Sequence, residues 1–185
     1  YWVIRGHLRE GRAFAERAVA DTIGADDAVR ARVLAHAATF PFRQGDLARA
    51  RELWEEALAL YRGLDDADGI SRCFAELGSV ALAEGDLERA TEIYVECCVL
   101  FEELGNRMRL GTAVANLAVI WSMRGDLDSA VEYGERAIAM QRECDRDGLA
   151  VSLLNVARTK LSLGRLDDAR DLLGECIELA TKLGY

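Results

Sequence analysis

The side chains that most often carry chemistry are few and scattered in this sequence. His7 and His36 are its only histidines, and neither belongs to a pair at the helical spacing that binds a metal ion. The glycines stand singly, so no glycine-rich loop could hold phosphate groups. Catalysis needs a nucleophile, a base and an oxyanion or metal site together. The sequence therefore predicts no enzyme, no cofactor, no metal site and no ATP site.

The cysteines predict reduced thiols and a cytoplasmic location. There are five of them, an odd number with no Cys-x-x-Cys spacing, which is typical of proteins kept in a reducing compartment. They are Cys73, Cys97, Cys98, Cys144 and Cys176.

Charge and hydropathy exclude two further classes of partner. The net charge is -9 and no basic run occurs, so the surface does not suit phosphate backbones and we expect no direct nucleic-acid binding. The longest apolar run, 117–121, is far shorter than the roughly 20 residues that cross a bilayer, so we expect no membrane span.

A fixed spacing of glycines organises the whole chain. Gly-Asp-Leu recurs every 40 residues with an alanine three places later, and altered copies begin at Gly6 and Gly164. A period of this length is the signature of stacked supersecondary units. The three matching copies lie at 45–47, 85–87 and 125–127.

Each period reads as two amphipathic helices joined by a tight turn. In the third unit the apolar stripe of one helix ends at Gly85, Asp86 can cap the next helix, and a second stripe follows. We expect first helices near 29–43, 70–83, 108–124 and 148–163. We expect second helices near 8–20, 47–64, 87–104, 127–144 and 166–183.

The repeat predicts one continuous array over residues 1–185. Residues 1–24 form a truncated leading unit, with the tail of a first helix at 1–5, and the complete units are 25–65, 66–105, 106–145 and 146–185. No polar helix seals the end at Leu183-Gly184-Tyr185. Because both ends expose packing surface, we expect self-association at high protein concentration.

Two sets of repeat-equivalent residues are predicted to pack between helices. A small residue stands at one offset after each turn glycine, where backbones can approach closely: Ala57, Cys97, Ala137 and Cys176. A second set stands nineteen residues after each glycine: Leu64, Leu104, Cys144 and Leu183.

With these units in place, the sequence resembles the tetratricopeptide repeat family. The third unit matches the family pattern through Leu77-Gly78, Gly85, Ala90, Tyr94 and Cys97, and the fourth through Leu117-Ala118, Trp121, Gly125, Ala130 and Ala137. The resemblance covers essentially the whole chain. The period of 40 exceeds the usual 34 and the closing proline is absent, which is similar to the long-repeat branch. The resemblance implies an all-α, right-handed α-solenoid of stacked antiparallel helix pairs.

A shorter stretch carries a narrower resemblance. Tyr1-Trp2-x-x-Arg5-Gly6-His7-Leu8-x-Glu10-Gly11-Arg12 resembles the opening of the repeat region in bacterial, especially actinobacterial, signal-transduction ATPases and transcriptional regulators. This implies that any ATPase or DNA-binding part lies outside this chain.

The first helix of each unit would line a concave groove that accepts a protein or peptide partner. Asn116 and Asn155 are the most suggestive candidates, because asparagine is a poor helix former and yet recurs there, and its amide can bond a peptide backbone. Arginines at such positions could bind carboxylates. The alternatives are bonds to neighbouring helices or water, and surface charge pairs. The groove candidates are Arg32, His36, Thr39, Arg72, Glu76, Ser79, Thr112, Asn116, Met123, Asn155 and Arg158.

These observations favour a non-enzymatic interaction scaffold, the ligand- or partner-sensing region of a bacterial regulator. Two alternatives stay open. A small-molecule sensor would need a deep cavity lined by Asn116, Asn155 and Met123. A passive oligomerisation scaffold would use none of these side chains for binding.

Overall fold

A computed structural model describes residues 7–183, and all of its regular structure in that range is helical. None of these helices is long and apolar enough to cross a membrane. The narrower motif at 1–6, the predicted helix tail at 1–5 and the terminal Gly184-Tyr185 lie outside the described residues. The helices are α1 (Leu8–Asp21), α2 (Asp27–Ala37), α3 (Thr39–Arg43), α4 (Leu47–Gly63), α5 (Ala67–Glu84), α6 (Leu87–Glu103), α7 (Arg107–Met123), α8 (Leu127–Cys144), α9 (Arg146–Ser162) and α10 (Leu166–Leu183).

The chain divides into two compact units, Tyr1–Arg89 and Ala90–Tyr185. They are called unit 1 and unit 2 from here on, and they are larger than the 40-residue repeats described above. In unit 1, α4 packs against α2, α3 and α5, and α1 packs against α2 and α3. In unit 2, α8 packs against α7 and α9, and α9 also packs against α7 and α10. The predicted all-α fold of repeated helix pairs is confirmed.

The turns between paired helices follow the sequence prediction. Gly45, Gly85, Gly125 and Gly164 have φ between 75° and 83°, a left-handed conformation that glycine adopts without strain. The Asp86 carboxylate accepts a hydrogen bond of 3.1 Å from the Arg89 backbone N–H, as a helix cap does. The recurring Gly-Asp pair therefore ends one helix and begins the next.

One predicted helix is wrong in a single respect. The stretch 29–43 forms two helices, α2 and α3, which meet at Ala38. Pro41 has no N–H to donate to the helical ladder, and its ring crowds the preceding turn. The remaining first helices lie within a few residues of their predicted bounds.

The core of unit 1 is aromatic and well buried. Leu34, Leu53, Trp54 and Tyr61 are each no more than 2% exposed. The Trp54 ring meets the Phe42 ring edge to face at 5.5 Å, and its Nε1 donates a 3.0 Å hydrogen bond to the backbone oxygen of Ala35. Unit 2 contains a smaller aliphatic cluster formed by Ile138, Leu149, Leu153 and Val156.

The two predicted sets of packing residues have different outcomes. Ala57, Cys97 and Ala137 are fully buried, as predicted, while Cys176 is half-buried. The prediction for Leu64, Leu104 and Cys144 is wrong, because all three are exposed. They stand at or beyond the last turn of their helices, where the chain leaves the packed face. The side chain of Leu183 lies outside the described part.

All five cysteines are free thiols. Burial raises the pKa of the Cys73 and Cys97 thiols to about 12, because a thiolate would lose its hydration there. These two side chains behave as small apolar residues of the core.

Candidate interaction surfaces

The asparagine pair of unit 2 lies on two first helices that pack against each other. Asn116 belongs to α7 and Asn155 to α9. The Asn106 side chain caps α7, and the Asp145 side chain caps α9. These caps fix where each helix begins. Both asparagines stand nine residues before their turn glycines.

Both asparagine side chains are half-buried. Across residues 7–183, neither amide hydrogen-bonds another group of the protein. A side-chain amide carries two donors and one acceptor, so both retain the full capacity to bond an incoming backbone.

The side chains around this pair are mixed in character. The Thr112 hydroxyl donates a 3.2 Å hydrogen bond to the backbone oxygen of Met108. Met123 and Val151 are 55% and 60% exposed, and Arg158 is exposed as well. The first-helix face of unit 2 therefore combines two free amides with accessible apolar contact surface.

The candidates in unit 1 form a more charged face. Arg32 and His36 on α2 are exposed, as is Glu76 on α5. Arg72 lies with its Nε 3.2 Å from the Asp68 carboxylate and its guanidinium 5.8 Å from the centre of the Tyr61 ring. Its charge is thus already engaged within the unit.

The two hydroxyl candidates of unit 1 are half-buried. Thr39 begins α3, and the Ser79 hydroxyl donates a 3.2 Å hydrogen bond to the backbone oxygen of Ala75. The candidates therefore divide into two sets, one in each unit. The single continuous groove stays a prediction.

A cavity of about 460 Å³ opens between α1 and α2 in unit 1. Two of its lining residues, Arg32 and His36, are predicted candidates, and Asn116, Asn155 and Met123 do not line it. Its apolar lining residues were not predicted, although their place on the last helix of the leading repeat and the first helix of the next was a usable signal. They are Phe14, Ala15, Ala18, Val29, Val33, Ala37 and Phe40. Within the described residues, no three histidine, cysteine or acidic side chains converge as a metal site.

The family model described as the MalT-like TPR region matches residues 2–185. The chain belongs to this family. The resemblance to tetratricopeptide repeats is thereby confirmed over essentially its whole length. A comparison with curated protein sequences gives no match.

Solved structures of similar fold share little sequence with this member of the MalT-like TPR family. BtubC from P. vanneervenii has 21% identity and a TM-score of 0.78, covering 100% of this chain and 78% of its own. A Rap protein complexed with Competence and Sporulation Factor has 15% identity and a TM-score of 0.90, covering 98% and 51%. A Signal Transduction ATPase with Numerous Domains protein with a tetratricopeptide repeat sensor, from Pyrococcus horikoshii, has 13% identity and a TM-score of 0.77, covering 97% and 28%.

The family and these structures establish the type of scaffold. Tetratricopeptide-type repeats are typically non-catalytic surfaces for proteins or peptides. At such identities the structural likeness concerns the fold alone, and this chain spans only 51% of the Rap protein and 28% of the ATPase.

Proposed function

We propose that this chain is a peptide-interaction module that holds an extended peptide on the first-helix face of unit 2. The observation that carries the proposal is the pair of half-buried, repeat-equivalent amides of Asn116 and Asn155, which have no hydrogen-bond partner in the described part of the chain. Each can donate to and accept from the main chain of a ligand.

Half-burial makes these amides well suited to backbone recognition. A side chain packed among helix neighbours has lost much of its rotamer freedom, so less entropy is lost when it binds. Met123 and Val151 offer apolar contacts to the ligand's side chains beside the amides. Backbone recognition would give affinity, and these contacts would give selectivity.

The wider role we propose is the sensing region of a bacterial signalling or transcriptional regulator in the cytoplasm. Support comes from the family match and from the fold shared with a STAND protein that has a tetratricopeptide repeat sensor and with a Rap protein complexed with Competence and Sporulation Factor. A ligand that binds one arrangement of the repeats more tightly would shift the population toward it and so bias an attached effector. ATPase or DNA-binding activity would belong to parts outside this chain.

The test uses a peptide selected on the wild-type chain from a random octamer library. Calorimetry then compares this peptide with a copy whose backbone amides are methylated, and compares the wild type with the double variant Asn116→Ala, Asn155→Ala. We expect both changes to weaken binding at least tenfold, because each removes hydrogen bonds to the ligand backbone.

A matched control removes two exposed polar side chains from the second helices. The double variant Glu96→Ala, Glu132→Ala should bind the peptide as the wild type does. If no peptide can be selected, or if the asparagine variant binds normally, the module does not use this face, and the passive scaffold becomes the better interpretation.

A further inference from the structure

The charges of unit 2 are divided unequally between its first and second helices. The first helices α7 and α9 together contain five basic residues and one acidic residue. The second helices α8 and α10 contain four basic and nine acidic residues. Because the whole chain has a net charge of -9, the first helices are opposite in sign to the protein that contains them.

Part of this positive charge is already balanced inside unit 2. The Arg107 guanidinium lies 3.0 Å from the Glu143 carboxylate of α8. The Lys160 ammonium lies 2.8 Å from Glu135 of α8 and 3.3 Å from Asp168 of α10. These two bases hold first helices to second helices, so they add little to the attraction of a ligand.

Two other arginines lie on the same sides of their helices as the asparagines. Arg109 stands two helical turns before Asn116, and Arg158 stands one turn after Asn155. Arg109 is half-buried and Arg158 is exposed. Within residues 7–183, neither has an ion-pair partner. Both guanidiniums are therefore available to a ligand that reaches the asparagines.

The asparagine side of each helix can be followed at steps of three and four residues. It comprises Arg109, Thr112, Asn116, Val119 and Met123 on α7, and Val151, Asn155, Arg158 and Ser162 on α9. Neither set contains an acidic residue. On α5 of unit 1, by contrast, Glu76 stands at the position of the asparagines. The preference for negative charge is thus specific to the first-helix face of unit 2.

We propose that the peptide bound on this face is acidic, with its backbone on Asn116 and Asn155 and its side-chain carboxylates paired with Arg109 and Arg158. This inference rests on the proposed function and names the class of ligand. Water solvates both guanidiniums in the free protein, so their effect is a preference among peptides. A guanidinium can hold a carboxylate through two hydrogen bonds, and complementary charge discriminates between ligands.

The composition of selected peptides gives the first test. The random octamers are synthetic, acetylated and amidated, so that only their side chains carry charge. Octamers selected on the wild-type chain should be at least twofold richer in Asp and Glu than the library. The net charge of -9 would by itself enrich basic peptides, so the two expectations differ in sign. The variant Asn116→Ala, Asn155→Ala should not enrich acidic octamers.

Calorimetry on the wild-type chain gives the second test and needs no variant. It compares a selected peptide with a copy whose acids are changed to Asn and Gln. The copy should bind about tenfold more weakly, because two ion pairs of partly exposed groups are lost. In ~1 M NaCl most of this difference should disappear, since charges are screened within about 3 Å.

A pair of double variants with equal changes in net charge locates the effect. Arg109→Gln, Arg158→Gln should weaken binding of the acidic peptide about tenfold and of the amide copy less than twofold. Arg136→Gln, Arg170→Gln removes two exposed charges from α8 and α10, and should bind the acidic peptide within twofold of the wild type. Circular dichroism checks that each variant retains its helices.

The outcomes separate this inference from the proposed function. Equal binding of the acidic peptide and its amide copy would overturn the inference, and the proposed function would stand if the asparagine variant still loses binding. Equal loss with Arg136→Gln, Arg170→Gln would assign the effect to net charge and also overturn it. Failure to select any peptide would overturn both. A mass in light scattering that doubles with concentration, and returns to the monomer on Arg109→Gln, Arg158→Gln, would assign the face to the acidic helices of a second copy instead.

Discussion

Helix α4 of unit 1 and helix α8 of unit 2 fill the same repeat position in opposite ways. Nine residues after the turn glycine, unit 1 has Trp54, which is buried and donates a hydrogen bond to the Ala35 backbone. Helix α8 has Gly134 there, and a Cβ added to it would clash with Cγ2 of Val156 on α9, whereas α6 has the buried Tyr94 at the same position. The space at this position is filled by the side chain of the second helix itself, Trp54, in the first case. In the second case it is filled by Val156 from a neighbouring first helix. The helix pairing is the same in both, but different helices supply the large side chain.

A second position repeats the contrast in polarity. Sixteen residues after the turn glycine, α4 buries Tyr61 against Gly69, while α8 buries Gln141 against Gly111 and Gly148. In the described residues, the Gln141 Oε1 atom has no hydrogen-bond partner. The packing around α4 therefore depends more on large side chains, and the packing around α8 on close helix approach at small residues and on a polar group.

The largest expected effect is the loss of the aromatic in unit 1. Trp54→Ala should lower the free energy of unfolding by about 3–5 kcal/mol, because it leaves a cavity in the core and removes the hydrogen bond to Ala35. Urea denaturation followed by circular dichroism measures the change. Val99→Ala, at an exposed position of α6, should stay within about 0.5 kcal/mol of the wild type. A cost below about 1 kcal/mol for Trp54→Ala would contradict the account of unit 1.

The corresponding change in unit 2 adds a single methyl group. Gly134→Ala should destabilise by about 1–3 kcal/mol, because the new Cβ clashes with Val156 and outweighs the gain in helix propensity. In a double-mutant cycle, Val156→Ala should relieve part of that cost. The measurement is again urea denaturation.

The control for this change is a glycine with open space around it. No heavy atom lies within 4 Å of a Cβ added to Gly174 on α10, so Gly174→Ala should stabilise by about 0.5–1 kcal/mol. If Gly134→Ala also stabilises, close approach is not what packs α8 against α9.

The sequence alone was enough to predict where the helices lie, but it was not enough to predict much of the packing between them. Gly85 and Asp86 determine a helix end and a helix start through local backbone chemistry, so their effect can be predicted from two residues. The exposure of Leu64 depends on where the last helical turn ends relative to its neighbours. That relation exists only after the helices have packed.

The candidate surfaces divide in the same way. Arg72 has Asp68 one helical turn earlier, whereas its repeat equivalent Arg32 has Ala28 there. This difference can be read from the aligned repeats. The absence of hydrogen-bond partners for the Asn116 and Asn155 amides cannot be read from the sequence, because it depends on every helix within reach.

Lys160 is a buried residue that the sequence analysis missed. It occupies a position that is apolar in the other units, is buried, and bridges Glu135 at 2.8 Å and Asp168 at 3.3 Å.

The smallest expected effect concerns the aspartates that cap equivalent helices. The pKa of Asp46 is lowered chiefly by its hydrogen bond from the Arg12 guanidinium at 2.5 Å, and then by the Arg49 backbone N–H. The pKa of Asp126 is lowered by hydrogen bonds from the backbone N–H and then the hydroxyl of Ser129. Folding lowers both values, so both carboxylates stabilise the fold above their unfolded pKa, and that contribution is lost as the pH falls through the folded one.

The two aspartates should respond differently to salt. In ~1 M NaCl, where the Debye length is about 3 Å, the pKa of Asp46 should rise toward its ordinary value, because a charged partner is screened. The pKa of Asp126 should change less, since Ser129 is uncharged. Arg12→Ala should raise the pKa of Asp46 and leave that of Asp126 unchanged. NMR titration of the two carboxyl groups checks this, and parallel shifts would mean that the Arg12 ion pair adds nothing to an ordinary helix cap.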